Sequence, residues 1–257
     1  MTSYDIPDHS YPLQTSTTIN DSFDTEYVYN MGAKAIPCEA YIPENGNINA
    51  QLRTKLQMVR IMQQLDGWCT VSKASILMDL VFIFQPRVIV EIGVWGGKSL
   101  IPMALAVKNN SSGKVYGIDP WSATSSIEGQ DGENKDWWQA ADHNQVYDKL
   151  VEQLARCDLN SVVTLIRKES QDAAPIPNID ILHIDGNHSD KTSYEDVRKW
   201  LPLVGMGKLV IFDDTTWSSI DRALPLLNEY CIKLAEFKGE NTWGIWLKVK
   251  EVPTEIE

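Results

Sequence analysis

The sequence predicts an α/β fold: a doubly wound, mostly parallel seven-stranded sheet, closed by an antiparallel C-terminal hairpin and preceded by an N-terminal arm and helices. Three observations predict it. From residue 87 onward, short apolar runs alternate with helix-period segments, the pattern of strands joined by crossover helices. The first run is followed by a glycine-bearing turn. Three of the runs end abruptly in carboxylates, at Asp119, Asp185 and Asp213.

The elements follow in order. Residues 49–65 carry Leu52, Leu56, Val59 and Met62 near one stripe and read as a helix, ended by Asp66-Gly67. Residues 72–84 are apolar nearly all round, which predicts a buried helix, stopped by Gln85-Pro86. RVIVEIG (87–93) is a strand, 98–109 a helix and KVYGID (114–119) a strand. Residues 136–157 read as one helix, SVVTLIR (161–167) and NIDILHID (178–185) as strands, and 190–202 as a helix. KLVIFDD (208–214) is a strand and 218–231 a helix. KLAEFKG and NTWGIWLKV form the hairpin around Gly239-Glu240-Asn241. The predicted division is an acidic arm over 1–46, helices over 47–86, the catalytic domain over 87–250 and a tail over 251–257.

Bulk properties exclude several classes. The net charge of −12 argues against a nucleic-acid partner or an anionic membrane surface, because phosphate contacts need clustered Lys and Arg. Seven acids against one lysine place half of that charge in residues 1–46, together with six aromatics, so the stretch is either a loosely ordered arm or a cover for a neighbour or a site. No apolar run approaches the roughly 20 residues of a membrane span. The start has no basic or apolar signal-peptide region. The cysteines, Cys38, Cys69, Cys157 and Cys231, are scattered and read as reduced thiols of a cytoplasmic protein. The apolar 72–84 helix and the aromatic arm are compatible with a homo-oligomer.

VIVEIGVWGGKS (88–99) places Gly93, Gly96 and Gly97 between a strand and a helix, with Ser99 at the helix start. Such a turn lies at the carboxyl end of a parallel sheet, where ligands bind. Glu91 precedes it and would repel a pyrophosphate, and the spacing is not G-x-G-x-x-G. A carboxylate suits a cationic ligand instead. Asp119, 26 residues beyond Gly93, is placed to accept from ribose hydroxyls. Together Glu91, Gly93 and Asp119 describe a site for a positively charged nucleoside without phosphates, and S-adenosylmethionine (SAM), a sulfonium, fits that description.

E-I-G-x-x-x-G followed by the strand-end Asp119 resembles the class I SAM-dependent methyltransferases, over about residues 70–250. The resemblance implies a Rossmann-like methyltransferase fold, with Glu91, Gly93, Gly97, Ser99, Asp119 and Trp121 at the cofactor. Ser170-Gln171 matches the Ser-Gln that catechol-type enzymes place near the adenine, and Asp185 borders the same site. IDGNHS with Tyr194-Glu195-Asp196-Val197 is similar to the DGxHxYExV run of metal-dependent macrocin and macrolide-sugar O-methyltransferases, although the tyrosine is displaced, which weakens any role for Tyr194.

Parallel strands share one carboxyl edge, so Asp185, Asp213 and Asp214 should converge there, and a divalent cation is the usual remedy for their repulsion. Hard oxygen donors favour Mg²⁺ or a similar ion, and the resemblance gives the same three residues that role. The simpler alternative is that Asp213 caps the next helix. His188, three residues after Asp185, is the expected base for the acceptor hydroxyl, or else a loop histidine partnering Asp185. His183, inside the strand, is expected to be structural and neutral, and His143 to sit on a helix surface. Trp121, Trp137 and Trp138, in the long 120–145 segment, are candidates to wall a pocket, with Trp121 beside Asp119 expected near the adenine; alternatively Trp137 and Trp138 start a helix and pack on the core, and Trp217 is placed to meet an acceptor. The acceptor is a small-molecule hydroxyl, with sugar, phenol and polyketide all open. Rival readings are a cephalosporin-hydroxylase-like protein of the same fold, an NAD-dependent oxidoreductase, and an inactive partner protein.

Overall fold

The computed structural model describes residues 50–239 and 241–253. The acidic arm, Glu240 at the hairpin tip and the end of the tail lie outside the described residues. Helices α1 (Ala50–Met62) and α2 (Val71–Phe84) precede the sheet. Thr70 starts α2: its hydroxyl accepts from Lys73 N at 3.2 Å, satisfying one of the donors that a helix start leaves free. Gln85, left-handed at φ 45°, ends it just before Pro86. The sequence predicted a helix buried all round, but only one face is covered. Lys73, Ala74, Leu77, Met78, Val81 and Phe82 are buried, while Ile83 and Phe84 are 73% and 52% exposed. The covered face meets α1 and the helix after β1, and nothing among the described residues overlies the helix end.

Then come β1 (Val88–Ile92), α3 (Leu100–Asn110), β2 (Lys114–Ile118), α4 (Ala123–Ser126), α5 (Gly132–Ala140), α6 (His143–Arg156) and β3 (Val163–Ile166). The second half holds β4 (Ile179–Ile184), α7 (Asp190–Trp200), β5 (Val204–Phe212), α8 (Ala223–Tyr230), β6 (Cys231–Phe237) and β7 (Trp243–Lys248). The sheet order is β3-β2-β1-β4-β5-β7-β6, with β5–β7 and β7–β6 antiparallel and the other pairs parallel. The chain moves outward from β1 to β3, then returns to lay β4 on the other side of β1. That reversal opens a crevice at the carboxyl ends of β1 and β4.

Two departures from the sequence reading are local. The helix expected over 136–157 breaks at Ala141-Asp142, where the Asp142 side chain accepts from Gln145 N at 2.9 Å and starts α6. Strand β5 starts at Val204, ahead of the predicted 208, so that Gly205 and Gly207 lie within it.

The sheet's period of two sorts the core into two layers. Ile89, Ile181, Leu209 and Ile211 face the layer containing α1, α2, α3 and α6. Val90, Ile92, Leu182, Ile184, Val210 and Phe212 face the layer containing α7 and α8. By the same alternation Glu91, His183 and Asp213 fall on the first side. Register sets Glu91 beside His183 and His183 beside Ile211, two residues before Asp213. A polar row therefore runs across three strands beneath α2.

Candidate active site

A cavity of about 580 Å³ lies over the carboxyl ends of β1, β2, β4 and β5. Its wall begins with the glycine turn. Gly93 has φ +81°, and a Cβ there would stand 2.1 Å from the Asp185 carbonyl oxygen. The exits of β1 and β4 thus touch backbone to backbone, which only glycine permits. Gly97, at φ +78°, faces Leu150 of α6 rather than the cavity.

Asp119 holds this turn in shape. One carboxylate oxygen accepts from Val94 N (2.9 Å) and Trp95 N (3.0 Å), the other from Trp121 N (2.6 Å). Burial raises its pKa despite these three bonds. Asp119 lines the cavity, and a carboxylate offers about four lone-pair sites, so it retains capacity for a further donor. Trp121 is not brought to the cavity. It is 2% exposed, its indole N–H donates to Trp95 O at 2.9 Å, and its ring meets Tyr147 edge-on. Its left-handed φ of 44° turns the side chain into the core.

After β3, Ser170 lines the cavity and donates to the Asp196 carboxylate. Gln171 is exposed, away from the cavity, and donates to the same carboxylate oxygen at 3.0 Å. Asp196, which the sequence reading passed over, is 1% exposed and borders the cavity. Burial first, then Glu195, push its pKa up to about 7 against the bonds from Ser170 and Gln171 and the charge of His188. A signal was present: Ser193, Asp196, Val197 and Trp200 share the buried face of α7, an acid within a helix-period stripe.

Glu91 lies under the cavity rather than on its wall, fully buried. It accepts from the Ser99 hydroxyl, and one oxygen stands 3.2 Å from His183 Nδ1, while Oε2 has no hydrogen-bond partner. Ser99 lines the cavity and connects Glu91 to it. His183 Nε2 is 3.0 Å from Asp213. Burial and the Lys73 ammonium press the His183 pKa down, but its bonds to Asp213 and Glu91 prevail and raise it to about 9. His183, expected to be a neutral packing histidine, stands between two acids, Glu91 and Asp213, whose bonds favour its charged form.

Lys73, from the first turn of α2, reaches the same cluster. Its ammonium donates to Asp213 and stands 3.4 Å from Asp185 Oδ2. It is 8% exposed, yet these two carboxylates outweigh burial and keep it charged. Asp213 is held far below the usual carboxylate range: burial opposes this, and Lys73 and His183 override it.

His188 lies on the wall, 8% exposed, with Nε2 3.2 Å from Asp214 and 3.8 Å from Asp185. Burial lowers its pKa, but Asp185 and Asp214 outweigh that and leave it raised. Asn187 anchors the loop by donating to Ser125 O and Glu128 O at 2.9 and 2.8 Å. Trp217 lines the cavity beside His188, with ring centroids 5.6 Å apart. Trp138 also lines it, within a cluster of Trp68, Trp95 and Trp137, and Trp137 stays 47% exposed. His143, expected on a surface, is buried against Trp95 and Trp138, with one ring nitrogen 2.9 Å from Trp138 O.

The expected triad of Asp185, Asp213 and Asp214 is divided: Asp213 faces Lys73 and His183, Asp214 faces His188, and Asp185 lies between. Among the described residues, the one group of three or more such side chains with ligand atoms within 4.8 Å of one another is Glu91, His183 and Asp185.

A family model described as a methyltransferase domain matches residues 90–215. An uncharacterized protein of Sinorhizobium fredii is 28% identical over 142 residues; the match takes in 54% of this chain and 14% of that longer protein. Among solved structures, an O-methyltransferase from Bacillus cereus in complex with SAH superposes with a TM-score of 0.51 at 17% identity, covering 76% of this chain and 90% of that one. A SAM-dependent O-methyltransferase from Thermotoga maritima gives 0.56 at 14% identity, covering 76% and 72%. An SAH-bound methyltransferase from Podospora anserina gives 0.55 at 10% identity, covering 76% and 87%. These likenesses extend the match from the domain to the whole seven-stranded fold.

Proposed function

We propose that this chain, which carries a methyltransferase domain over residues 90–215 within a class I methyltransferase fold, moves a methyl group from SAM to a hydroxyl oxygen of a small molecule. The observation that carries the reading is one cavity bounded by the exits of β1, β2, β4 and β5, with His188 on its wall between Asp185 and Asp214. The residues present fit the cofactor. The Gly93 turn brings backbone to the wall, Asp119 keeps acceptor capacity for a ribose, and Ser170 borders the same space. Asp185 and Asp214 place carboxylates on the same wall.

SAM supplies the methyl group: the acceptor oxygen forms the new C–O bond as the C–S bond breaks, and the bonding pair stays on sulfur. His188 takes the hydroxyl proton at Nε2, which requires its neutral form. Asp214 and Asp185 then stabilise the imidazolium. Trp138 and Trp217 give the acceptor apolar walls, and the enclosure excludes water.

The divalent ion expected on Asp185, Asp213 and Asp214 does not fit the residues as they stand, because the Lys73 ammonium already lies against two of the three carboxylates. The Glu91–His183–Asp185 group is no better, since both ring nitrogens of His183 face acids. No step is drawn through a metal.

The acceptor is a sugar, phenol or polyketide hydroxyl, and the net charge of −12 disfavours nucleic acid. No helix among the described residues is long and apolar enough to cross a membrane. A cytoplasmic location is supported by the reduced thiols of Cys69 and Cys231. The test is calorimetric titration with SAM and SAH, then product analysis with the three acceptor classes. Micromolar binding followed by a methyl ether supports the reading, and absence of heat with both ligands sinks it.

A further inference from the structure

Building on the methyl-transfer reading, we propose that Lys73 is the resident cation of the site: its ammonium fills the place at Asp185 and Asp213 that a divalent ion would need, and transfer in this chain proceeds without metal.

The placement of Lys73 is built. Thr70 caps α2 through the Lys73 N–H, which fixes the residue in the first helical turn. The helix packs against α1 and α3, so the lysine stem runs buried toward the sheet. The stem brings Nζ to the row that the sheet register assembles from Glu91, His183 and Asp213. The Trp243 ring stands on its other side, its centroid 5.7 Å from Nζ. A long side chain buried this deeply keeps its charge only where carboxylates pair with it.

Every carboxylate at the exits of β4 and β5 already has a basic side chain against it. Asp213 has Lys73 and His183, Asp185 has Lys73 with both histidines farther off, and Asp214 has His188. A divalent ion bound to Asp185 and Asp213 would compete with Nζ for the same oxygens and meet its full charge at close range. An ammonium carries three donors. Asp213 and Asp185 take two, leaving one for an acceptor oxygen in the cavity that Lys73 lines. A fixed cation there favours charge developing on that oxygen, the contribution otherwise expected from a metal.

The experiment is Mn²⁺ titration of the EDTA-treated full chain, read by the electron paramagnetic resonance of free Mn²⁺, on wild type, Asp185→Asn, Lys73→Met and Lys73→Met/Asp185→Asn. Wild type should show no site tighter than ~1 mM, the weak end of protein cation sites. Lys73→Met should gain one, and the added Asp185→Asn should abolish it. Transfer should be unchanged by EDTA in wild type and fall ~100-fold in Lys73→Met, as on loss of one stabilising donor. Mn²⁺ uptake by wild type that Asp185→Asn removes would overturn the proposal, and so would a folded Lys73→Met that gains no site. The wild-type titration decides even where Lys73→Met fails to fold. SAH calorimetry on the same samples reads the methyl-transfer proposal separately, since cofactor binding does not depend on the metal result.

Discussion

His188 presents a contradiction that its surroundings resolve. A base must be neutral to accept a proton, yet Asp185 and Asp214 hold the imidazole above its ordinary 6.5 despite burial. Transfer should therefore rise with pH through a midpoint above 6.5, and Asp214→Asn should lower that midpoint. The kcat/KM profile against pH checks this, and an unmoved midpoint in the variant would refute it. His188→Asn should cost ~10²–10⁴-fold in transfer and leave SAH binding intact by calorimetry. Asp196 makes the complementary case. Its folded pKa of about 7 lies above the ordinary 3.8, so the stability linked to its proton is complete below 3.8 and lost as pH rises toward 7. Asn can replace its neutral form and still accept from Ser170 and Gln171. Asp196→Asn should gain thermal stability over wild type as pH rises from about 4 to 8, and a constant difference in melting temperature would contradict this. The place of His188 on the cavity wall was legible because it follows a strand-end aspartate. The raised pKa values of Asp196 and His183 were not, since both depend on partners far apart in sequence.

At the scale of elements, the strands were legible and their neighbours less so. Apolar runs define β1 and β4 to within one residue, because a strand buried on both faces has little freedom of composition, while β5 starts four residues ahead of its apolar run. The break between α5 and α6 was missed: Ala141-Asp142 sits in a continuous polar stretch, and its marker is one capping aspartate. Asp142→Ala should cost about 1 kcal/mol, measured by urea denaturation. The closest joint is between the exits of β1 and β4. Gly93→Ala combines a left-handed backbone with a Cβ 2.1 Å from the Asp185 carbonyl. It should destabilise by roughly 3 kcal/mol or more and displace Asp185. Unchanged urea stability would show that the joint can open without cost.

For the molecule as a whole, the doubly wound order and the antiparallel closing strands are those the sequence predicts, and seven strands bring chemistry from distant segments to one edge. The triad was read as a set of like charges because its counter-charge lies more than a hundred residues away, on a helix that looked merely apolar. Saturating SAH should stabilise the whole fold, by about 2.7 kcal/mol at a hundred times its dissociation constant. Thermal melts with and without SAH check this, and EDTA should leave both curves in place. The position of Lys73 also bears on modularity. The recognised domain begins at residue 90, but the helix supplying this ammonium ends at Phe84. A fragment cut at residue 90 would sever β1 and lose the ammonium that lies against Asp185 and Asp213, leaving only His183 and His188 beside those acids. The smallest portion that keeps this pairing therefore reaches back to α2, ahead of the segment that the family model matches.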